Sequence, residues 1–144
     1  MTILVALIAL LAAAGGPDDT RVTVVVGATL VDGGGRAPVT DSVLIIRGAV
    51  IAAVGDRVHT PIPKGAAIVD GRRAWIAPAP ATAPGDLASA IAGLARGPVS
   101  RVRPGQPAHI ALLDGDPRSG ATAPAVRRLW IGGKVVEMPE KAAR

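Results

Sequence analysis

WIAPAPATAPGDLASAIAGLARGPV, residues 75–99, decides the fold of this chain, because strand-like sequence lies on both sides of it and almost none lies inside. Pro78, Pro80 and Pro84 make its first half an extended, poorly structured entry. Between Asp86 and Arg96 the apolar residues Leu87, Ile91 and Leu94 recur at i, i+4 and i+7, which predicts a short helix with one buried face. Gly97 and Pro98 end that helix.

Upstream of this bridge the chain is rich in β-branched residues. RVTVVVGATLV (21–31) reads as a strand, broken by Asp32-Gly-Gly-Gly35. A phosphate-binding loop would open a helix after such glycines; here Arg36-Ala-Pro38 and another strand follow, so a flexible turn is expected. SVLII (42–46) and AVIAAV (49–54) flank Arg47-Gly48 as a tight hairpin. His59 falls in a proline-punctuated loop, and AAIVD (66–70) and AWIA (74–77) are two short strands joined by a turn at Asp70-Gly71.

Downstream, VSRVR (99–103) alternates as a half-buried strand, Pro104-Gly-Gln-Pro107 turns the chain, and AHIALL (108–113) is a further strand. Residues 126–131 and 134–137 form a hairpin about Gly132-Gly133. Some nine strands and one helix, with no α/β alternation long enough for a parallel sheet, give a mainly β fold. The expectation is a small antiparallel β-sandwich or barrel-like composite domain with one short helix, preceded by an apolar leader.

That leader is residues 3–14, twelve uncharged apolar residues, too short for a spanning helix of about 20. Small residues follow at 12–16, which fits a secretory h-region and cleavage site, although Met1-Thr2 supplies no basic side chain ahead of it. The domain expectation is a signal peptide at 1–16 and a composite β-domain at 17–144, made of N-terminal strands (22–80), bridge and helix (81–97) and C-terminal strands (98–144). The expected location is periplasmic or secreted, with cytoplasmic as the alternative, and no stable membrane span is expected.

Composition narrows the chemistry. The chain has no cysteine, phenylalanine, tyrosine or asparagine, and Trp75 and Trp130 are its aromatics. Disulfides, thiolate catalysis and cysteine metal sites are therefore excluded, and any core is aliphatic and β-branched. Sixteen Lys+Arg against eleven Asp+Glu give a net charge of +5. The basic residues are scattered, with pairs at Arg72-Arg73 and Arg127-Arg128 and an alternating Arg101 and Arg103. Nucleic-acid binding would need a clustered patch with stacking aromatics, so no nucleic-acid partner is expected. At 144 residues the chain is one domain in size and too short for a (β/α)₈ barrel of roughly 250.

The ordered segments VVVGATLVDGGGRAPVTDSVLIIRGAVIAAVG (24–55), AAIVDGRRAWIAP (66–78), GPVSRVRPGQPAHIALLDGDP (97–117) and VRRLWIGGKVVE (126–137) resemble the two end segments of metal-dependent amidohydrolases of the imidazolonepropionase, dipeptidase and dihydroorotase kind. The resemblance implies that the two ends form a composite β-domain, and that a catalytic barrel holding one or two divalent metals such as zinc would lie between them in the intact family. That family's binuclear site uses a His-x-His pair, a carboxylated lysine, two further histidines and an aspartate to hold metals that activate a water. Here the barrel's place is taken by residues 76–97, and the chain has two histidines, His59 and His109, neither at a ligand position.

No catalytic, cofactor-binding or metal-binding residue is therefore assigned, and no cofactor is expected. Asp114 and Asp116 read as turn formers. Ser42, Ser89, Ser100 and Ser119 have no base motif beside them. The expected function is an amidohydrolase-related protein reduced to the non-catalytic β-domain, a structural or interaction module without autonomous hydrolysis. The alternative is a hydrolase of non-peptide carbon–nitrogen bonds whose metal site comes from another chain. Partners would be a second copy or a separate barrel subunit, docking on apolar surface left exposed.

Overall fold

A computed structural model describes residues 21–81, 87–97, 100–119 and 124–136. The leader expected at 1–16 lies outside the described residues. In chain order the elements are β1 (Val22–Leu30), β2 (Val39–Arg47), β3 (Val50–Asp56), β4 (Ala67–Asp70), β5 (Trp75–Pro78), α1 (Leu87–Arg96), β6 (Ile110–Leu113), β7 (Val126–Ile131) and β8 (Lys134–Val136). The mainly β reading with one short helix holds.

All eight strands belong to one mixed sheet, ordered β3-β2-β1-β5-β6-β7-β8, with β4 also paired to β1. Five of the seven pairings are antiparallel. The other two are parallel and share one edge of β1: Thr23 to Val26 pair with β4, and Thr29 and Leu30 with β5. The turn expected at Asp70-Gly71 is therefore not a hairpin. β4 and β5 run in the same direction along β1, and Gly71 makes the close passage between them, its N–H donating to Val26 O at 2.8 Å. A Cβ on Gly71 would stand 2.9 Å from the Ala28 methyl, which is why the chain can pass there only as glycine.

The sheet is not closed into a barrel, but it curls over its own core. Bulges supply the bend: Gly27 (φ 90°) is the extra residue in β1, Ala52 in β3 and Arg127 in β7. One core cluster then gathers Val25, Leu44 and Ile46 from β1 and β2 with Ile76, Ile110, Leu112 and Trp130 from β5, β6 and β7. The core is aliphatic as composition implied, with Trp130 its largest fully buried side chain.

Successive side chains of a strand point to opposite faces, so the unbroken apolar runs need cover on both. In β6, Ile110 and Leu112 face the central core while Ala111 and Leu113 face a second cluster built with Leu87, Ile91 and Ala95 of α1. In β2, Leu44 and Ile46 face the central core while Val43 and Ile45 join Val24 and Val26 in a third cluster on the other face. Residues 57–66, which carry the chain from β3 past β2 and β1 to β4, lie over that face: Ala66 packs on the cluster and the buried Thr60 stands against Gly55.

The strand expected at 99–103 does not form. Ser100 to Arg103 are irregular, with Val102 buried in the central core and one backbone bond, Arg101 N–H to Asp32 O at 2.9 Å, anchoring them. Val102 fills the core without a ladder, so alternation alone misled. The glycine turn at 33–35 is also better held than a flexible loop, since Gly34 N–H donates to Gly97 O at the end of α1 (2.8 Å). Among the described residues no helix is long and apolar enough to cross a membrane.

Candidate functional site

The bridge after β5, the exposed side of α1 and the turn before β6 enclose a cleft of about 590 Å³. Ala79, Leu94 and Pro107 give it an apolar wall, and Arg101, Gln106 and His109 supply its polar groups; among the described residues no carboxylate lines it. Local rules place each part. Ile91 and Leu87 bury one face of α1 and leave Ser89 and Gly93 on the other. Ala79 N–H donates to His109 O at 2.9 Å, fixing the bridge to the residue that opens β6.

His109 is half-buried, and its ring is oriented by the β7–β8 hairpin: Gly132 N–H donates to Nδ1 at 3.0 Å. A backbone N–H can only donate, so Nδ1 is the acceptor and the neutral ring carries its proton on Nε2. The imidazole thus offers the cleft a donor, not a base. Ser89 and His109 line the same cleft, but this tautomer leaves no lone pair to activate a hydroxyl. With Arg101 and Gln106, the cleft can bind carbonyl or carboxylate oxygens.

The other residues weighed from sequence are dispersed. His59 sits in an exposed turn, its Nδ1 at 2.7 Å from Asp56 Oδ1 and its backbone N–H donating to the same oxygen at 2.8 Å. That backbone bond, then the ring contact, holds the Asp56 carboxyl below the usual carboxylate range. Asp116 accepts from the Arg118 side chain, which lowers its pKa and raises that of Arg118, and the Arg118 N–H closes the turn at 2.8 Å. Asp114 pairs with Arg127. Asp116 opens a turn, as its spacing implied, whereas Asp114 lies in a bend. Ser42 is buried and donates to Ala28 O at 2.7 Å, Ser100 donates to Asp32 at 3.1 Å, and Ser119 is exposed.

The donor set does not fit the divalent metal that the family resemblance implies. Among the described residues no three His, Asp or Glu side chains gather where an ion could sit. Asp41, Asp70, Asp114 and Asp116 are each engaged by an arginine, which a cation would have to displace. Arg72, donating through its side chain and then its N–H, holds Asp70 down at about 2. Sequence reading missed the cleft and the His109–Gly132 bond; the signal for the latter was a histidine opening one strand beside the glycine tip of the next hairpin.

No family model matches the chain, and no curated protein does. Solved structures do match over part of it. Phenylurea hydrolase B is 37% identical over 41% of this chain and 13% of its own, with a TM-score of 0.39. Molinate hydrolase is 28% identical over 42% of this chain and 13% of its own, TM-score 0.39. A prolidase from Bifidobacterium longum is 18% identical over 42% of this chain and 15% of its own, TM-score 0.38. Each of these matches covers about two fifths of this chain, which spans 13–15% of the length of the three proteins.

Proposed function

We propose that this chain is an amidohydrolase-related β-module that acts through structure or interaction and does not hydrolyse substrates by itself. The observation that carries the reading is His109: the histidine that lines the cleft has its Nδ1 occupied by Gly132 N–H and presents a donor. Hydrolysis of an amide needs an activated nucleophile, and four of the six described aspartates are bound to arginines. The test is metal analysis of the purified protein alongside turnover of a panel of amides, ureas and cyclic imides. No turnover with or without added zinc is expected. Stoichiometric zinc together with chelator-sensitive turnover would overturn the reading.

A second reading is favoured by the position of the cleft. It opens at residues 79–81, where the sequence resemblance places the entry to a barrel, and its small wall residues leave room for another chain. On that reading the module completes a hydrolase of non-peptide carbon–nitrogen bonds whose metal-bearing barrel is a separate subunit, or it associates with a second copy. Co-purification of a barrel-bearing chain that gains turnover on mixing supports it; a monomer by light scattering, with no such partner, counts against it. We also propose export, from the apolar run at 3–14, tested by N-terminal sequencing of the protein from fractionated cells.

A further inference from the structure

A second concavity lies where the β2–β3 and β7–β8 hairpin tips meet. It has a volume of about 600 Å³ and is lined by Arg21, Arg128 and Lys134 above an apolar floor that includes Ile46 and Val69, with no acidic residue among the described lining groups. Its base is hydrogen-bonded. Gly48 N–H donates to Arg21 O at 3.0 Å, Gly133 N–H to Ala108 O at 3.0 Å, and Gly133 approaches Gly48 O so closely that a Cβ would not fit between them.

The charge is uncompensated in a specific way. All six described aspartates are engaged elsewhere: Asp41 with Arg57, Asp56 with His59, Asp70 with Arg72, Asp114 with Arg127, Asp116 with Arg118, and Asp32 with Ser100. The three groove cations have no carboxylate partner among the described residues. Arg128 lies over the ring of the buried Trp130, 5.8 Å from its centroid, which holds one face of the guanidinium and leaves its N–H edge for a ligand. Cations around a concave, apolar wall concentrate the field and raise the local concentration of anions.

We infer that this groove binds an organic carboxylate with a flat or linear apolar body, its head group on Arg128, Lys134 and Arg21 and its body over Ile46 and Val69. The probe is 4-phenylbutyrate, titrated into the full chain while the amide resonances of Gly48 and Gly133 are followed by NMR, with 4-phenylbutanol as the uncharged control. Saturable shifts at these glycines are expected, with the alcohol binding roughly tenfold or more weakly, as loss of a charge-assisted contact implies. The double variant Arg128→Gln/Lys134→Gln should weaken binding by at least about tenfold while leaving distant resonances unmoved. Should that variant not fold, Arg21→Gln supplies the same comparison. Equal binding of acid and alcohol, unchanged affinity in the variant, or shifts confined to the cleft around Leu94 and His109 would each overturn the inference.

Discussion

Substituting Gly133 by alanine tests how the two halves of the curled sheet are locked. A Cβ at Gly133 would stand 1.8 Å from Gly48 O and 3.1 Å from Ala49 Cα. Ordinary contact begins at about 3.4 Å, so the hairpin tips must part by roughly 1.5 Å. That movement takes two backbone bonds out of range, Gly133 N–H to Ala108 O at 3.0 Å and Ala108 N–H to Ala49 O at 2.9 Å. At about 1 kcal/mol each, plus about 1–2 kcal/mol for an alanine held at φ 78°, Gly133→Ala should cost about 3–4 kcal/mol. Gly132 is the internal control: its φ is 59° and nothing lies within 4 Å of its Cβ position, so Gly132→Ala carries the conformational cost of about 1 kcal/mol alone. Urea unfolding followed by tryptophan fluorescence separates the two, provided the slope is unchanged. If the two variants fall within about 0.5 kcal/mol of each other, the interlock is not what holds the sheet curled.

Three further outcomes follow from the same geometry. Ser42→Ala removes the buried hydroxyl that donates to Ala28 O beside the Gly27 bulge, and should cost about 1–2 kcal/mol in the same unfolding assay; no loss would mean the carbonyl finds water. Ile91→Ala, at a side chain 1% exposed between α1 and β6, should cost about 2–4 kcal/mol, with hydrogen exchange accelerated first in α1. Asp70 should titrate near 2 by carboxyl NMR and return towards the ordinary value in Arg72→Gln, because the Arg72 side chain and then its N–H stabilise the anion. The folded pKa lies below the unfolded one, so this contribution is complete above about pH 4 and is lost as pH falls towards 2. A midpoint near 4 in the unaltered protein would refute the pairing.

Local punctuation was legible in the sequence, and long-range pairing was not. Gly48 at one hairpin tip, Gly132-Gly133 at the other, and the Leu87/Ile91 spacing of α1 act within a few residues, and each structure formed where its residues indicated. Leu94 is half-buried while Ala95 is buried, a small rotation of the expected face. The parallel pairings of β4 and β5 depend on Gly71 meeting Ala28, a contact 43 positions apart that Asp-Gly cannot announce. Arg127 and Arg128 are consecutive and both exposed because a bulge lies between Leu112 and Leu113 of the opposite strand. At the site, the scarcity of imidazoles was readable, since the whole chain has two histidines. The donor role of His109 was not, because it is set by the backbone of a hairpin more than twenty residues later.

The chain leaves the sheet after β5 and returns through residues 97–101, and both flanks are pinned to the same short stretch: Val31 N–H to Ile76 O, Gly34 N–H to Gly97 O and Arg101 N–H to Asp32 O. Departure and return points are thus held side by side on the sheet. Closing a connection ten times longer costs only about 2 kcal/mol more. The places where the chain leaves the sheet and rejoins it are therefore set by these backbone bonds and not by the length of the bridge between them.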